Sequence, residues 1–238
     1  ISGGRRPNII DGNSSWKRTL LIAENSLFGS GIAPYRRNNK RKSYVNSMFH
    51  AAYKREVFEK VGGFNENLGR TEDNEIHYRM RQAGYKLCFN PDIVSYQHTR
   101  NDLKKMIRQK FLNGYWIGLT TGICPKCLSI YHYIPFGFII GIFITTILYL
   151  FGFPTLGIFM WKIYFIVSVC MSILSIRKEK FNITLFLLPF LFFLLHISYG
   201  IGTVLGLIKM PNWKKNNKTC YEVDQVKLSL RRKTLFID

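Results

Sequence analysis

The apolar positions of this 238-residue chain change their period along its length. As far as Lys126, short apolar runs alternate with glycine, proline and asparagine, the pattern of a mixed α/β unit. "KREVFEKVGGF" reads as a short helix stopped at Gly62 and Gly63. Thr71 then stands where it can cap a helix whose first turn holds Glu72 and Asp73, acids that the helix dipole favours there. Ile76, Met80 and Ala83 recur on one face of that helix, and Gly84 ends it. "YKLCFNPDIVSYQHT" has alternating and β-branched residues broken by Asn90-Pro91-Asp92, so it reads as strand, turn, strand. In "NDLKKMIRQKFLNGYW", Leu103, Met106, Ile107 and Phe111 fall at helical spacing among Lys104, Lys105, Arg108 and Lys110. A basic surface helix packed on its own domain has the same periodicity, but the nearby apolar region favours a helix at a membrane interface.

From Ile134 to Ile176 the chain carries one charge, Lys162, and is interrupted at "FGFPT", which leaves room for two spans of about 20 residues each. "RKEK" closes the pair, and "FNITLFLLPFLFFLLHISYGIGTVLGLIKM" forms a third apolar segment. Its polar residues His196, Ser198 and Tyr199 are expected to bond to neighbouring helices. The chain thus divides into an α/β part (1–125), a membrane part (126–210) and a basic tail (211–238). One conflict remains open: two crossings keep "RKEK" on the side of the α/β part, as positive-inside placement prefers, whereas a third would export an equally basic tail. A re-entrant or interfacial segment among the three would resolve it, and the number of crossings is left open.

Lysine and arginine total 34 against 14 acids, for a net charge of +20. Such an excess fits nucleic acid or an anionic membrane surface, and the apolar half decides for the membrane. No recognition helix, zinc finger or RNA-binding aromatic pair argues for nucleic acid. The basic run from Ala33 to Tyr44 reads as a mobile solvated loop. Five cysteines, one of them within an apolar span, do not form a disulfide framework, and the single Cys124-to-Cys127 CxxC lacks the second pair that a zinc site needs. A transporter would place paired ionisable residues at mid-membrane, and the spans hold only Lys162 and His196.

"FHAAYKREVFEKVGGFNENLGRTEDNEIHYRMRQAGYKLCFNPD" resembles the second half of the catalytic domain of family 2 glycosyltransferases, followed in order by "RQKFLNGYW". "HISYGIGTVLGLIK" is similar to the membrane tail of bacterial exopolysaccharide transferases of the succinoglycan type. The resemblance implies the C-terminal part of a GT-A, Rossmann-like α/β domain ahead of a transmembrane helical region. It also implies an inverting transfer from a nucleotide-sugar donor to a lipid-linked or polysaccharide acceptor, on the cytoplasmic face of a cell membrane crossed several times.

In that family the Asp of the acidic pair is the general base, and it matches Asp73; Glu72 would position the loop or bind acceptor. A sugar hydroxyl is a poor nucleophile, so a carboxylate that takes its proton during attack supplies what the reaction lacks. Members hold a divalent metal, Mg or Mn, on a DxD motif placed before this region. No DxD occurs here, so the chain reads as a C-terminal piece that is inactive alone. Some relatives add a histidine ligand beyond the base, and His98 falls there, though a hydrogen-bonded strand-end histidine fits equally. Processive members carry QxxRW; here Arg108, Gln109 and Trp116 stand without the Arg-Trp pair, which argues against processive synthesis and leaves them as substrate contacts. His50, where relatives often have glycine before small residues, would narrow the acceptor pocket. A non-catalytic membrane scaffold that keeps the fold is the alternative reading.

Overall fold

The structure, a computed structural model, describes residues 1–12, 14–29, 40–100, 102–177 and 179–217. Most of the basic run from Ala33 to Tyr44 and the tail after Asn217 lie outside the described residues. Strand β4 (Leu87–Val94) is flanked by β1 (Ser2–Arg5) in parallel and β3 (Ser43–Val45) in antiparallel pairing. The short β2 (Asn8–Ile9) and β5 (Gln97–His98) form a second, parallel pair. Asn90-Pro91-Asp92 does not split β4 as expected. Gly3 faces Phe89 and Arg5 faces Val94, so the residues between them bulge out of register. Arg5 Nε donates to Pro91 O at 2.9 Å. A bulge tolerates a proline because it needs no ladder hydrogen bond there.

Helix α2 (Arg55–Val61) stops at Gly62, whose φ of +82° suits a residue without a Cβ. Val57 and Val61 pack on Ile76 and Met80 of α3 (Glu72–Gln82), with Tyr53, Phe58 and Tyr85 around them. Arg79 fastens this pair, donating to both Glu75 oxygens at 2.7 and 3.0 Å and to Gly63 O at 2.6 Å. Both helices therefore lie where their apolar period puts them.

Helix α1 (Ser15–Asn25) belongs to a different core. Its Leu20, Ile22 and Ala23 pack with Met106 of α4 (Leu103–Thr121) and with Leu188, Leu191, Phe192 and Leu195 of α7 (Leu188–Asn216). Packing thus runs through the boundary expected at residue 125. Lys110, expected on the solvated basic face of α4, is turned inward: its ammonium lies 2.7 Å from Glu24 Oε2, and the two side chains are 4% and 7% exposed. The charges sit on facing helices, and pairing them offsets part of the cost of burying both.

Among the described residues three helical segments are long and apolar enough to cross a membrane: Ile130–Leu150, which contains α5 (Ile134–Leu150), α6 (Thr155–Ile176), and Ile183–Asn216, which contains α7. Gly152, at φ +84°, and Pro154 turn α5 into α6. Phe143, Ile144, Phe159 and Phe165 are exposed along this hairpin, as lipid-facing residues are. Helix α7 continues past Met210, where the polar tail was expected, as far as Asn216.

Helices α4 and α7 meet backbone to backbone. Gly114 and Gly118 of α4 face Gly202 and Gly206 of α7, glycines four apart on both helices. A Cβ on Gly118 would fall 2.6 Å from Thr203 O and Leu207 N, and one on Gly202 would strike Phe111 O. Gly114 meets Tyr199 and Thr203, Gly118 meets Leu207, and Gly122 meets Met210, so the helices run parallel. Such small-residue faces allow the dense packing that joins helices in apolar surroundings. Gly202→Val should therefore destabilise the detergent-solubilised protein by about 3 kcal/mol. Gly137→Ala, with nothing within 4 Å of the added methyl, should melt at or slightly above the native temperature. Thermal unfolding of the two variants side by side checks this.

Candidate active site

Asp73 lies in the first turn of α3, and the turn ahead of it is held from α4. Thr71 adopts φ +69°, ψ 5°, a left-handed conformation that costs a β-branched residue about 1–2 kcal/mol. Its side chain does not cap α3, contrary to expectation; the hydroxyl instead bonds Thr120 Oγ1 at 2.6 Å. Arg70 Nη1 donates to Asn113 Oδ1 at 2.7 Å. The Trp116 ring lies so close to Gly69 that a Cβ there would fall 2.6 Å from it. Asn113, Trp116 and Thr120 share one face of α4, and together they hold residues 69–71 in a conformation that local preference opposes.

A cavity of about 380 Å³ opens beside this turn. Thr71, Glu72, Asp73 and Asn74 form one wall with Arg6 and Phe49. Gln109, Asn113 and Ile117 of α4 form another, and Tyr131, Pro135, His196 and Tyr199 close it from the side of the apolar helices. Of the residues singled out in the sequence, the cavity brings together Glu72, Asp73 and Gln109. Arg108 is exposed and does not line it. Trp116 stands behind the turn, its ring 6.1 Å from that of Trp213. His50 is exposed at φ +54° and stacks on Phe49 at 4.1 Å, so Phe49, not His50, shapes the cavity wall. His98 sits at the exposed end of β5 with Nδ1 2.9 Å from Asp11 Oδ1, outside the cavity of Asp73.

The two acids differ. Burial raises Asp73 to about 6; the Asn74 amide, which donates to Oδ1 at 2.7 Å, and Arg6 pull it down, while the charge of Glu72 pushes it up. The carboxyl is thus still mostly ionised at neutral pH, yet basic enough to accept a proton from a bound hydroxyl. Glu72 Oε2 is buried without a hydrogen-bond partner among the described residues, an oxygen left available to a ligand. Tyr53 is pushed up to about 12 by burial and by the charge of Asp73. His77, fully buried between Tyr53 Oη at 2.7 Å and Ser47 Oγ at 3.2 Å, is lowered to about 4 by burial and by Arg81. It is therefore neutral near pH 7 but a weaker base than Asp73, and it does not line the cavity.

Among the described residues no group of three or more His, Cys, Asp or Glu side chains is disposed to hold a metal ion. Glu72 and Asp73 bring two carboxylates, and His98 is held elsewhere by Asp11, so these residues do not make up a metal site. Arg6, Arg70 and Asn113 line the cavity without having stood out in the sequence, and His196 and Tyr199, expected only to bond to neighbouring helices, line it too. Position beside the acidic pair was a signal for Arg70; Arg6 and Asn113 come from distant segments and carried none.

Three curated proteins show what the chain is similar to. It is 29% identical over 107 residues to the succinoglycan biosynthesis protein ExoA of Rhizobium meliloti (strain 1021), covering 45% of this chain and 32% of that protein. It is 27% identical over 206 residues to the dolichyl N-acetyl-alpha-D-glucosaminyl phosphate 3-beta-D-2,3-diacetamido-2,3-dideoxy-beta-D-glucuronosyltransferase of Methanococcus voltae, covering 85% of this chain and 59% of the relative. It is 33% identical over 109 residues to the O-antigen chain rhamnosyltransferase WbaN of Salmonella anatum, covering 46% and 29%. The chain thus spans between about a third and three-fifths of the length of these relatives. No family model and no solved structure matches. The chain resembles glycosyltransferases, in keeping with the family 2 type, and pairs a mixed α/β part with three apolar helices.

The raised carboxyl has a consequence for stability. Asp73 binds its proton more tightly in the folded protein, at about 6, than at its ordinary value of 3.8. Its stabilising contribution is full below pH 3.8 and is lost as pH rises through 6. Asp73→Asn removes that loss while leaving an oxygen for the Asn74 amide. The variant should melt at or above the native temperature at pH 7.5, and the difference should vanish near pH 4; melting curves across this range check it.

Proposed function

We propose that the protein is a membrane-bound, inverting glycosyltransferase of GT-A fold. It moves a sugar from a nucleotide donor to a lipid-linked or glycan acceptor in the synthesis of exopolysaccharide or another cell-surface glycan. The observation that carries this reading is Asp73, a carboxyl raised to about 6, aimed by a strained turn into a cavity with one wall on the apolar helices. The similarity to transferases for O-antigen and lipid-linked sugars supports it.

In this reading Asp73 accepts the proton of an acceptor hydroxyl while that oxygen bonds to the anomeric carbon. The bond from that carbon to the nucleotide diphosphate breaks on the opposite face, which inverts the centre. Glu72 receives a second hydroxyl on its unpartnered oxygen, and Gln109 contacts the substrate from α4. Glu72 and Asp73 bring two carboxylates, too few to hold a divalent cation by themselves; with further ligands such an ion, Mg or Mn, would supply positive charge to the leaving diphosphate. The α/β part faces the cytoplasm, where nucleotide sugars are made.

The test is sugar transfer by the full-length protein in its membrane. Asp73→Asn should lower turnover by about 100-fold or more, within the range of a lost general base. Glu72→Gln should act mainly on the acceptor KM, and native turnover should fall on the acid side with an apparent pKa near 6. Near-normal turnover of Asp73→Asn would point instead to a scaffold that keeps the fold without the chemistry.

A further inference from the structure

We propose that α7 does not cross the bilayer. Helices α5 and α6 enter it as a hairpin, whereas α7 lies along the membrane surface under the α/β part, so that this part and the C-terminal tail share one side. By length and composition each of the three helices could cross, so their contacts must decide.

Both ends of α7 touch the α/β part. At its start, Leu188, Leu191 and Phe192 share a core with Leu20 and Ala23 of α1. At its end, Met210 lies against Gly122, and the Trp213 ring stands 6.1 Å from Trp116, which itself covers Gly69. The stretch from Leu188 to Trp213 is roughly 37 Å long at 1.5 Å per residue. A helix crossing a hydrocarbon core of about 30 Å would carry its far end away from a body that stays in water. Between these ends α7 runs parallel to α4 in backbone contact. Helix α4 exposes Lys104, Lys105 and Arg108 in its first two turns, and along its length Asn113, Trp116 and Thr120 hold the turn ahead of Asp73 in the α/β part. Helix α4 therefore stays at the surface, and α7 stays beside it.

The hairpin behaves differently. Arg18 of α1 pairs with Glu179 at 2.7 Å, and Thr19 bonds Thr184 at 2.7 Å, so the segment after α6 returns to the α/β part that α5 left. Only 6% and 11% of the residues in the most apolar stretches of Ile130–Leu150 and Thr155–Ile176 are buried, against 39% for Ile183–Asn216, as expected of a hairpin surrounded by lipid. Phe190, Ile201, Leu205 and Ile208 leave α7 an exposed apolar stripe for the acyl chains below it. With two crossings, Arg177 and Lys180 fall on the same side as Lys214 and Lys215, which ends the conflict in positive-inside placement.

Trypsin applied to sealed vesicles whose outer face carries the α/β part tests this on the full-length native protein. We expect cleavage at Lys214 and Lys215 together with cleavage in the α/β part, before detergent is added, as read by mass spectrometry. Cleavage in the α/β part with the tail protected until detergent is added overturns the proposal. A nitroxide on Ile201→Cys should lie just beneath the headgroups, among the first acyl carbons, while one on Phe143→Cys lies far deeper, toward the bilayer centre. Equal, deep positions for both overturn it as well.

Discussion

The close contact of α4 with α7 governs where everything else can stand. Leucines at Gly114, Gly118, Gly202 and Gly206 would hold the two axes apart by the width of their side chains. As glycines they let Tyr199 O, Thr203 O and Phe111 O lie against the opposite backbone. In apolar surroundings burial of hydrocarbon gives little drive to associate, so such dense contact supplies much of it. With one face of α4 fixed in this way, the face bearing Asn113, Trp116 and Thr120 is presented to the turn ahead of α3.

That turn is where stability yields to geometry. Thr71 pays in backbone strain for its left-handed conformation, and the hydroxyl bond to Thr120 offsets part of this from another element. The carboxyl of Asp73 is costly to ionise, since burial outweighs the Asn74 amide and Arg6. Two local penalties at adjacent sites, each held in place by distant residues, are the pattern of a site shaped for a ligand more than for the fold. By contrast, Glu75 on the same helix is buried with both oxygens taken by Arg79, and its task is to hold α3 to the end of α2.

The features legible in the sequence are those that depend on neighbours along the chain. Helices α2 and α3 follow from apolar spacing and from Gly62 and Gly84, and the apolar helices follow from composition. Long-range partners were not legible. Thr71 has the residue type of a cap, but Thr120 competes for its hydroxyl. Lys110 sits in a basic run and reads as solvated, yet its partner Glu24 lies on a helix far away in sequence. Pro91 reads as a strand breaker, and the bulge opposite Gly4 absorbs it. The glycine pairs in "GYWIG" and "GTVLG" were in plain sight, and a search for small residues four apart would have matched α4 to α7. Asp73 stood out by resemblance, whereas the difference in environment between it and Glu72 required the fold.

The cavity joins two environments that usually stay apart. One wall offers carboxylates and guanidinium groups, and the other offers Tyr131, Pro135 and Tyr199 from the apolar helices and the segment leading into them. With α7 lying along the surface, His196 and Tyr199 sit at the depth of lipid headgroups instead of at the bilayer centre. An acceptor carried on a lipid could then present its sugar hydroxyl to Asp73 without leaving the interface. In the proposed reaction, restricting the acceptor to that layer would remove part of the entropy of bringing it to Asp73, and the face of α4 that aims this carboxyl would remove part of the rest. The same helix pair would thus set both the depth of the substrate and the direction of the carboxylate, which explains why a membrane-facing contact and a strained turn occur on opposite faces of one helix.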